Sequence, residues 1–199
     1  MNFAVFCSGN GTNLQAIINA SRKGRIKAKL ALVVCDNPKA YAVERARRAG
    51  VPAAVFDPKD FPSKKELESA VIRELGKKKI GLIALAGYMR ILSGGFVGRY
   101  RNRIINVHPA LLPAFKGGQA IKDAIQYGVK VTGPTVHFVT EEVDGGPIIL
   151  QEACPVRHDD TEKTLLARVH KLEHKLYPEA IDLFARGKLT VRGRKVIIK

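Results

Sequence analysis

The sequence predicts an α/β protein with a mostly parallel, twisted sheet, helices on both faces and an antiparallel edge. Short apolar runs alternate with segments of helical periodicity in the first hundred residues, which is typical of strand–helix–strand units with right-handed crossovers. Residues 80–86 are apolar throughout, as expected for a strand covered on both faces. Two strand-like runs follow one another between residues 135 and 156 without a helix, which predicts antiparallel pairing at one edge.

The individual elements follow from periodicity and from turn and cap residues. The predicted strands cover residues 3–7, 31–35, 51–56, 80–86, 104–107, 135–139 and 148–156, with a terminal hairpin at 189–198. Five helices are expected: one capped by Thr12 or Asn13, one ending at Gly50, one opened by the capping box Ser63-Lys64-Lys65-Glu66, one from Ala120 to Tyr127 ended by Gly128, and one capped by Asp160.

The 199 residues, 46% of them hydrophobic, predict one domain spanning 1–199. No run approaches the ~18 apolar residues of a membrane span, and the first residues lack a signal-peptide pattern, so we expect a cytoplasmic protein without a membrane partner. Cys7, Cys35 and Cys154 have no CxxC spacing and are expected to be buried free thiols.

The chain is strongly basic: 34 Lys and Arg against 18 Asp and Glu give a net charge of +16. This charge favours anionic partners. The basic residues are scattered, however, and there is no Trp and no aromatic interleaving of the kind that stacks bases. A basic surface is therefore favoured over a nucleic-acid site.

The turn from Ser8 to Asn13 lies between the first predicted strand and the first helix. Unpaired backbone N–H groups and the positive end of the helix dipole make such a turn an anion site. Leu14 stands where the dinucleotide fingerprint has its third glycine, so a monophosphate is favoured over NAD.

His108 is the leading catalytic candidate in the chain. It ends an apolar strand and precedes Pro109, which places it where open α/β sheets bind ligands. Asp144, before Gly-Gly-Pro, is by itself more typical of a turn.

Three other features allow competing interpretations. The segment 87–93 leaves the fourth strand, and its apolar residues fit a pocket for a flat ring and the core equally well. His170-Lys171-Leu172-Glu173-His174 matches an inverted zinc-peptidase pattern, but no further ligand follows in a matching context, so no metal is predicted. His137 in an alternating strand is interpreted as a half-buried structural histidine, and Cys154 as a core residue.

Four segments together resemble the phosphoribosylglycinamide formyltransferases, the folate-dependent enzymes of purine synthesis. They are Ser-Gly-Asn-Gly-Thr-Asn-Leu-Gln at 8–15, Ala-Gly-Tyr-Met-Arg-Ile-Leu at 86–92, Asn-Val-His-Pro-Ala-Leu-Leu-Pro at 106–113 and Asp-Gly-Gly-Pro-Ile at 144–148. The third segment resembles formyltransferases in general, whereas the first and Glu-His-x-x-Tyr-Pro at 173–178 resemble this group. The resemblance extends to about residue 189 and implies a Rossmann-like formyltransferase fold.

The resemblance also implies a role for each matching residue. The substrate 5-phosphoribosylglycinamide would be bound by Gly11, Thr12, Asn13, His170 and Glu173. The co-substrate 10-formyltetrahydrofolate would be bound by Met89, Arg90, Ile91 and Leu92, with backbone groups on its pteridine, and by Asn106 and Lys64, which stands where relatives often have Arg. The catalytic residues would be Asn106, His108 and Asp144.

The implied chemistry is direct attack of the substrate amine on the formyl carbon. Imidazolium His108 and the amide of Asn106 would donate to the tetrahedral oxyanion. Asp144 would raise the pKa of His108 and order a water that carries the proton to the folate nitrogen. Neither a metal nor a covalent intermediate is needed.

Two departures from the resemblance are noted: Ala110 stands where many relatives have Ser, and Ile121 is expected in a loop where some have His. A methionyl-tRNA formyltransferase, which normally carries a further RNA-binding domain, and a non-catalytic nucleotide-binding module stay open as alternatives. Both a monomer and a homodimer are compatible with the sequence.

Overall fold

The computed structural model describes residues 1–199. Its strands are β1 (Asn2–Cys7), β2 (Lys29–Cys35), β3 (Ala53–Val55), β4 (Ile80–Leu85), β5 (Ile104–His108), β6 (Val131–Thr132), β7 (Thr135–Phe138), β8 (Ile148–Gln151), β9 (Cys154–Pro155), β10 (Leu189–Arg192) and β11 (Lys195–Ile198). Its α-helices are α1 (Thr12–Arg22), α2 (Tyr41–Ala49), α3 (Lys64–Lys77), α4 (Gly94–Arg99), α5 (Ala120–Tyr127) and α6 (Glu162–Ala185), and Pro58–Asp60 form a 3-10 turn.

Nine strands form one sheet in the order β10-β11-β8-β7-β5-β4-β1-β2-β3. The strands from β3 to β5 are parallel, and β7 pairs antiparallel with both β5 and β8. The prediction of a mostly parallel sheet with an antiparallel edge is therefore confirmed. Strand order reverses between β1 and β4, and ligands of such sheets bind in the crevice at this point.

Helices cover both faces of the sheet. Apolar residues of α1, α2 and α6 pack on one face, and those of α3 and α4 on the other. Tyr177 of α6 is fully buried, and its hydroxyl lies 2.8 Å from the carbonyl oxygen of Leu85 and 3.0 Å from that of Ile105. This contact fixes α6 against β4 and β5.

The predicted caps are confirmed at some helix ends and wrong at others. Gly50 and Gly128 end α2 and α5 in the left-handed conformation, and Ser63 Oγ accepts a hydrogen bond from the amide of Glu66. The first residue before α1 is Gly11 at φ 74, so the prediction of a Thr12 or Asn13 side-chain cap was wrong. Thr161, not Asp160, caps α6, because Asp160 is paired with Arg168 instead.

The predicted strand 148–156 is broken into β8 and β9. β9 leaves the main sheet and pairs with β6. At the break, the carbonyl oxygen of Glu152 lies against the backbone of Gly133. A Cβ at Gly133 would lie only 2.0 Å from that oxygen. Ile121 also differs from expectation, since it lies in α5 and is buried against Cys154, Leu165 and Val169 rather than in a loop.

Two further observations concern the whole chain. The three cysteines are buried and free, as predicted. None of the helices combines the length and the apolar character that crossing a membrane requires.

Candidate active site

Strand geometry brings Asn106, His108 and His137 to one face of the sheet. Asn106 and His108 are two residues apart on β5, so their side chains point to the same side. His137 lies directly opposite Asn106 in the β5–β7 register and therefore shares that face.

The carboxylate of Asp144 lies among these three side chains. Its Oδ2 is 3.3 Å from His108 Nδ1, and its Oδ1 is 3.5 Å from both His137 Nε2 and Asn106 Nδ2. The loop that carries Asp144 lies close to β7. A Cβ at Gly146 would be only 1.7 Å from the carbonyl oxygen of Phe138, so glycine is needed at this position. The structure thus brings together all three residues proposed from the sequence to be catalytic.

A second loop, which contains Phe115 and Gly117, covers the His108–Asp144 pair. The carbonyl oxygen of Phe115 lies 2.7 Å from His108 Nε2, so this nitrogen carries a proton and donates it. The amide of Gly117 donates to Asp144 Oδ2 at 2.9 Å. The His108 and Asp144 side chains are 5% and 9% exposed, respectively.

Burial decides the protonation of His108. It lowers the pKa of the imidazole below its ordinary value and outweighs the opposing effects of the Asp144 carboxylate and the Phe115 carbonyl. Asp144 thus raises this pKa as expected, but burial makes the net change a decrease, against the expectation of an imidazolium kept charged by its carboxylate partner. Burial alone would raise the pKa of Asp144, but hydrogen bonds from His137 and Gly117 and the electrostatic effects of His108 and His137 hold it below its usual value.

The lowered pKa of His108 predicts a specific pH dependence of stability. The unfolded chain, in which the histidine pKa is about 6.5, binds this proton at a higher pH than the folded chain does. The free energy of unfolding should thus fall as pH drops below about 6.5, until the folded pKa is reached. Denaturant titrations between pH 7.5 and 5 should show a smaller loss in His108→Gln than in the parent chain.

A matched control for this measurement is His158→Gln, since the His158 side chain is 97% exposed. It should reproduce the pH dependence of the parent chain. An unchanged pH dependence in His108→Gln would contradict the prediction.

His137 is the site residue that the sequence interpretation missed. Its Nδ1 lies 2.9 Å from the Phe138 carbonyl oxygen and donates to it, and its Nε2 lies 3.3 Å from Asn106 Nδ2 and 3.5 Å from Asp144 Oδ1. His137 thereby orients the Asn106 amide. The only signal in the sequence is its position in an alternating strand, and the register with β5 that gives this position meaning is not visible there.

The Ser8–Asn13 turn has the properties of an anion site. The backbone N–H groups of Thr12, Asn13 and Leu14 at the start of α1 have no hydrogen-bond partner in the protein. Arg45 of α2 holds the turn, since its guanidinium donates to the carbonyl and side-chain oxygens of Asn10, both at 2.8 Å. Gly11 is needed here because a Cβ would lie 2.8 Å from the Cβ of Ala42.

Glu173 of α6 completes this second group of residues. Asn13 Nδ2 donates to Glu173 Oε2 at 2.7 Å, and His170 Nε2 lies 3.8 Å from the same oxygen. Burial raises the pKa of Glu173, against the effects of Asn13 and His170. The Oδ1 of Asn13 is buried without a partner and is available as an acceptor.

The segment 87–93 combines exposed and buried apolar residues. Met89 and Ile91 are 77% and 70% exposed, whereas Tyr88 and Leu92 pack on the core beneath α3 and α4. Arg90, Ile91 and Leu92 line a small cavity together with Lys64 at the start of α3. The competing interpretations of pocket and core therefore apply to different residues of this segment.

The proposed site residues thus form three groups: Asn106, His108 and Asp144; Gly11, Thr12, Asn13, His170 and Glu173; and Lys64 with Met89, Arg90, Ile91 and Leu92. No hydrogen bond joins the first group to the second. Ser8 makes the only hydrogen bonds between the Ser8–Asn13 turn and the 87–93 segment. No three His, Cys, Asp or Glu side chains are arranged so as to hold a metal ion.

Comparisons with known proteins place this geometry in a family. Residues 1–181 match the formyl transferase family model. The chain is 47% identical over 179 residues to phosphoribosylglycinamide formyltransferase of Bacillus subtilis, covering 90% of this chain and 92% of that protein. It is 49% identical over 188 residues to the trifunctional purine biosynthetic protein adenosine-3 of Gallus gallus, covering 94% of this chain but only 19% of that protein.

Solved structures agree with these sequence matches. Glycinamide ribonucleotide transformylase 1 of Symbiobacterium toebii superposes with a TM-score of 0.97 at 49% identity, covering 100% of this chain and 93% of that one. The chain therefore belongs to the formyl transferase family and, within it, to the phosphoribosylglycinamide formyltransferases.

Proposed function

We propose that this protein transfers the formyl group of 10-formyltetrahydrofolate to the amine of 5-phosphoribosylglycinamide, in the cytoplasm and without a metal. The observation that carries the proposal is the convergence of Asn106, His108 and Asp144, with the His108–Asp144 pair 3.3 Å apart. This group offers hydrogen-bond donors and a carboxylate at one point, as acyl transfer to an amine requires.

The phosphorylated substrate is assigned to the group around the Ser8–Asn13 turn. The free N–H groups of Thr12, Asn13 and Leu14 supply donors for a phosphate. Glu173 and the unpaired Oδ1 of Asn13 supply acceptors for the ribose hydroxyls, and His170 lies beside them.

The co-substrate is assigned to the 87–93 segment. Among residues 88–92, Met89 N–H is the one backbone group with a hydrogen-bond partner in the protein. The backbone groups of Arg90, Ile91 and Leu92 are thus free to pair with the polar edge of a pteridine, and the exposed Met89 and Ile91 offer apolar contacts. Lys64 supplies a positive charge at the rim but lacks the bidentate fork of arginine.

The reaction proceeds by direct attack of the neutral amine on the formyl carbon. The carbonyl electrons move to oxygen, and the oxyanion accepts from His108 Nε2–H and from the Asn106 Nδ2–H that points at Asp144 Oδ1 in the free protein. Water held by Asp144 carries a proton from the attacking nitrogen to N10 of the folate, after which the carbon–N10 bond breaks and the carbonyl reforms. The products are the formamide and tetrahydrofolate.

The loop that contains Phe115 sets one condition on this step. The Phe115 carbonyl occupies His108 Nε2–H in the structure, so the oxyanion must replace that carbonyl as acceptor. Negative charge at this position raises the pKa of the buried imidazole and offsets the effect of its burial.

The test is a spectrophotometric assay of the purified chain with both small substrates and no RNA. Turnover with 5-phosphoribosylglycinamide and 10-formyltetrahydrofolate is the expected result. Turnover only with methionyl-tRNA would replace the proposal by a methionyl-tRNA formyltransferase, and absence of turnover with either acceptor would leave a nucleotide-binding module.

A further inference from the structure

Hydrogen bonds to the rest of the protein hold both ends of the 87–93 segment, but none holds its middle. No backbone group of residues 90–92 is paired within the protein. A loop of this kind gains no stability from its own hydrogen bonds, so its shape depends on its anchors.

Ser8 is the first anchor and stands at the point where strand order reverses. Its backbone N–H donates to the Gly87 carbonyl at 3.0 Å, and its Oγ accepts from the Met89 amide at 2.9 Å. Because Ser8 also begins the Ser8–Asn13 turn, one residue connects the two proposed substrate sites.

Glu68 is the second anchor. It lies on α3 and is 8% exposed, on the apolar face that carries Leu67 and Val71. Its Oε1 accepts from the Ser93 amide at 2.8 Å and its Oε2 from the Ser93 hydroxyl, and it forms no salt bridge. A buried carboxylate is costly unless its oxygens are paired, and here both pair with the last residue of the segment.

We propose that Ser8 and Glu68 are positioning residues for the co-substrate: they hold residues 88–92 in the observed path, with the backbone groups of 90–92 presented to the folate. This inference rests on the proposed function. It predicts that loss of either anchor weakens folate binding, while the phosphorylated substrate and the bond-making step are much less affected.

The experiment compares Ser8→Ala and Glu68→Ala with Ser8→Thr, which keeps the hydroxyl, and Glu68→Gln, which keeps an acceptor for Ser93. We expect KM for 10-formyltetrahydrofolate to rise about 3- to 10-fold in Ser8→Ala and at least as much in Glu68→Ala. Smaller rises are expected in Ser8→Thr and Glu68→Gln. In Glu68→Ala, the KM for 5-phosphoribosylglycinamide and kcat should change little; in Ser8→Ala they should change less than the KM for 10-formyltetrahydrofolate, since Ser8 also begins the turn assigned to the phosphate. Glu74→Ala, on the same helix with its carboxylate paired only to Lys77, is the matched control.

Amide hydrogen exchange provides a readout that needs no turnover. The Met89 amide should exchange faster in Ser8→Ala, and the Ser93 amide in Glu68→Ala, whether or not folate is the ligand. If the enzyme is active and the KM for 10-formyltetrahydrofolate in all four variants equals that of the parent chain, the inference is overturned but the proposed function is not. Failure of the parent chain to turn over or bind 10-formyltetrahydrofolate would overturn the proposed function, and the inference with it.

Discussion

Replacing His108 by alanine is expected to lower kcat about 100- to 1000-fold and to leave both KM values close to those of the parent enzyme. The substitution removes the Nε2–H donor for the oxyanion, an interaction made fully only in the transition state. Steady-state kinetics with each substrate varied in turn would measure the effect. Because the side chain is buried, the variant's free energy of unfolding should be measured alongside.

Two further variants separate chemistry from structure at this position. His108→Gln keeps a donor of similar reach and should recover part of the lost rate. His158→Ala removes an exposed histidine and should behave as the parent does. Turnover of His108→Ala within a few-fold of the parent would end the assignment of His108.

Replacing Asp144 by asparagine should lower kcat to a comparable extent, about 100- to 1000-fold. The amide has nearly the same shape, but it removes the negative charge and turns one acceptor into a donor. Asn106 Nδ2 and the Gly117 amide already point donors at this carboxylate, so the new NH₂ group faces another donor on whichever side it lies. The water that transfers the proton also loses its carboxylate.

The appropriate control is Asp159→Asn, since the Asp159 side chain is 73% exposed and pairs only with His158. Pre-steady-state mixing would show whether the loss lies in formyl transfer or in product release. A full-rate transfer step in Asp144→Asn would remove Asp144 from the proposed chemistry.

The sequence predicts the parallel half of the sheet well, because the runs at 3–7, 31–35 and 80–86 are apolar throughout. It predicts the antiparallel edge less well. The run from Ile148 to Val156 looks like one strand, but its division depends on the approach of the Gly133 backbone, which is distant in sequence. The cap at Asp160 fails for a related reason, because Arg168, two turns into the helix, takes the carboxylate.

For the site, the residues alone make His108 the leading candidate, and the resemblance adds Asp144 and the other site residues. The contact between His108 and Asp144 depends on the path of the 139–147 loop, which no periodicity encodes. The ordinary strand pattern around His137 predicts a structural histidine, and only the register opposite Asn106 makes it part of the site. The lowered pKa of His108 depends on how completely two loops exclude water, which is a property of the packed structure.

The hydrogen bond from Asn13 to Glu173 spans 160 positions of the chain. During translation, the ribosome therefore adds the carboxylate that accepts this hydrogen bond 160 residues after Asn13. A truncated translation product that stops before Glu173 would leave the Asn13 amide without that acceptor, however well its first strands had folded.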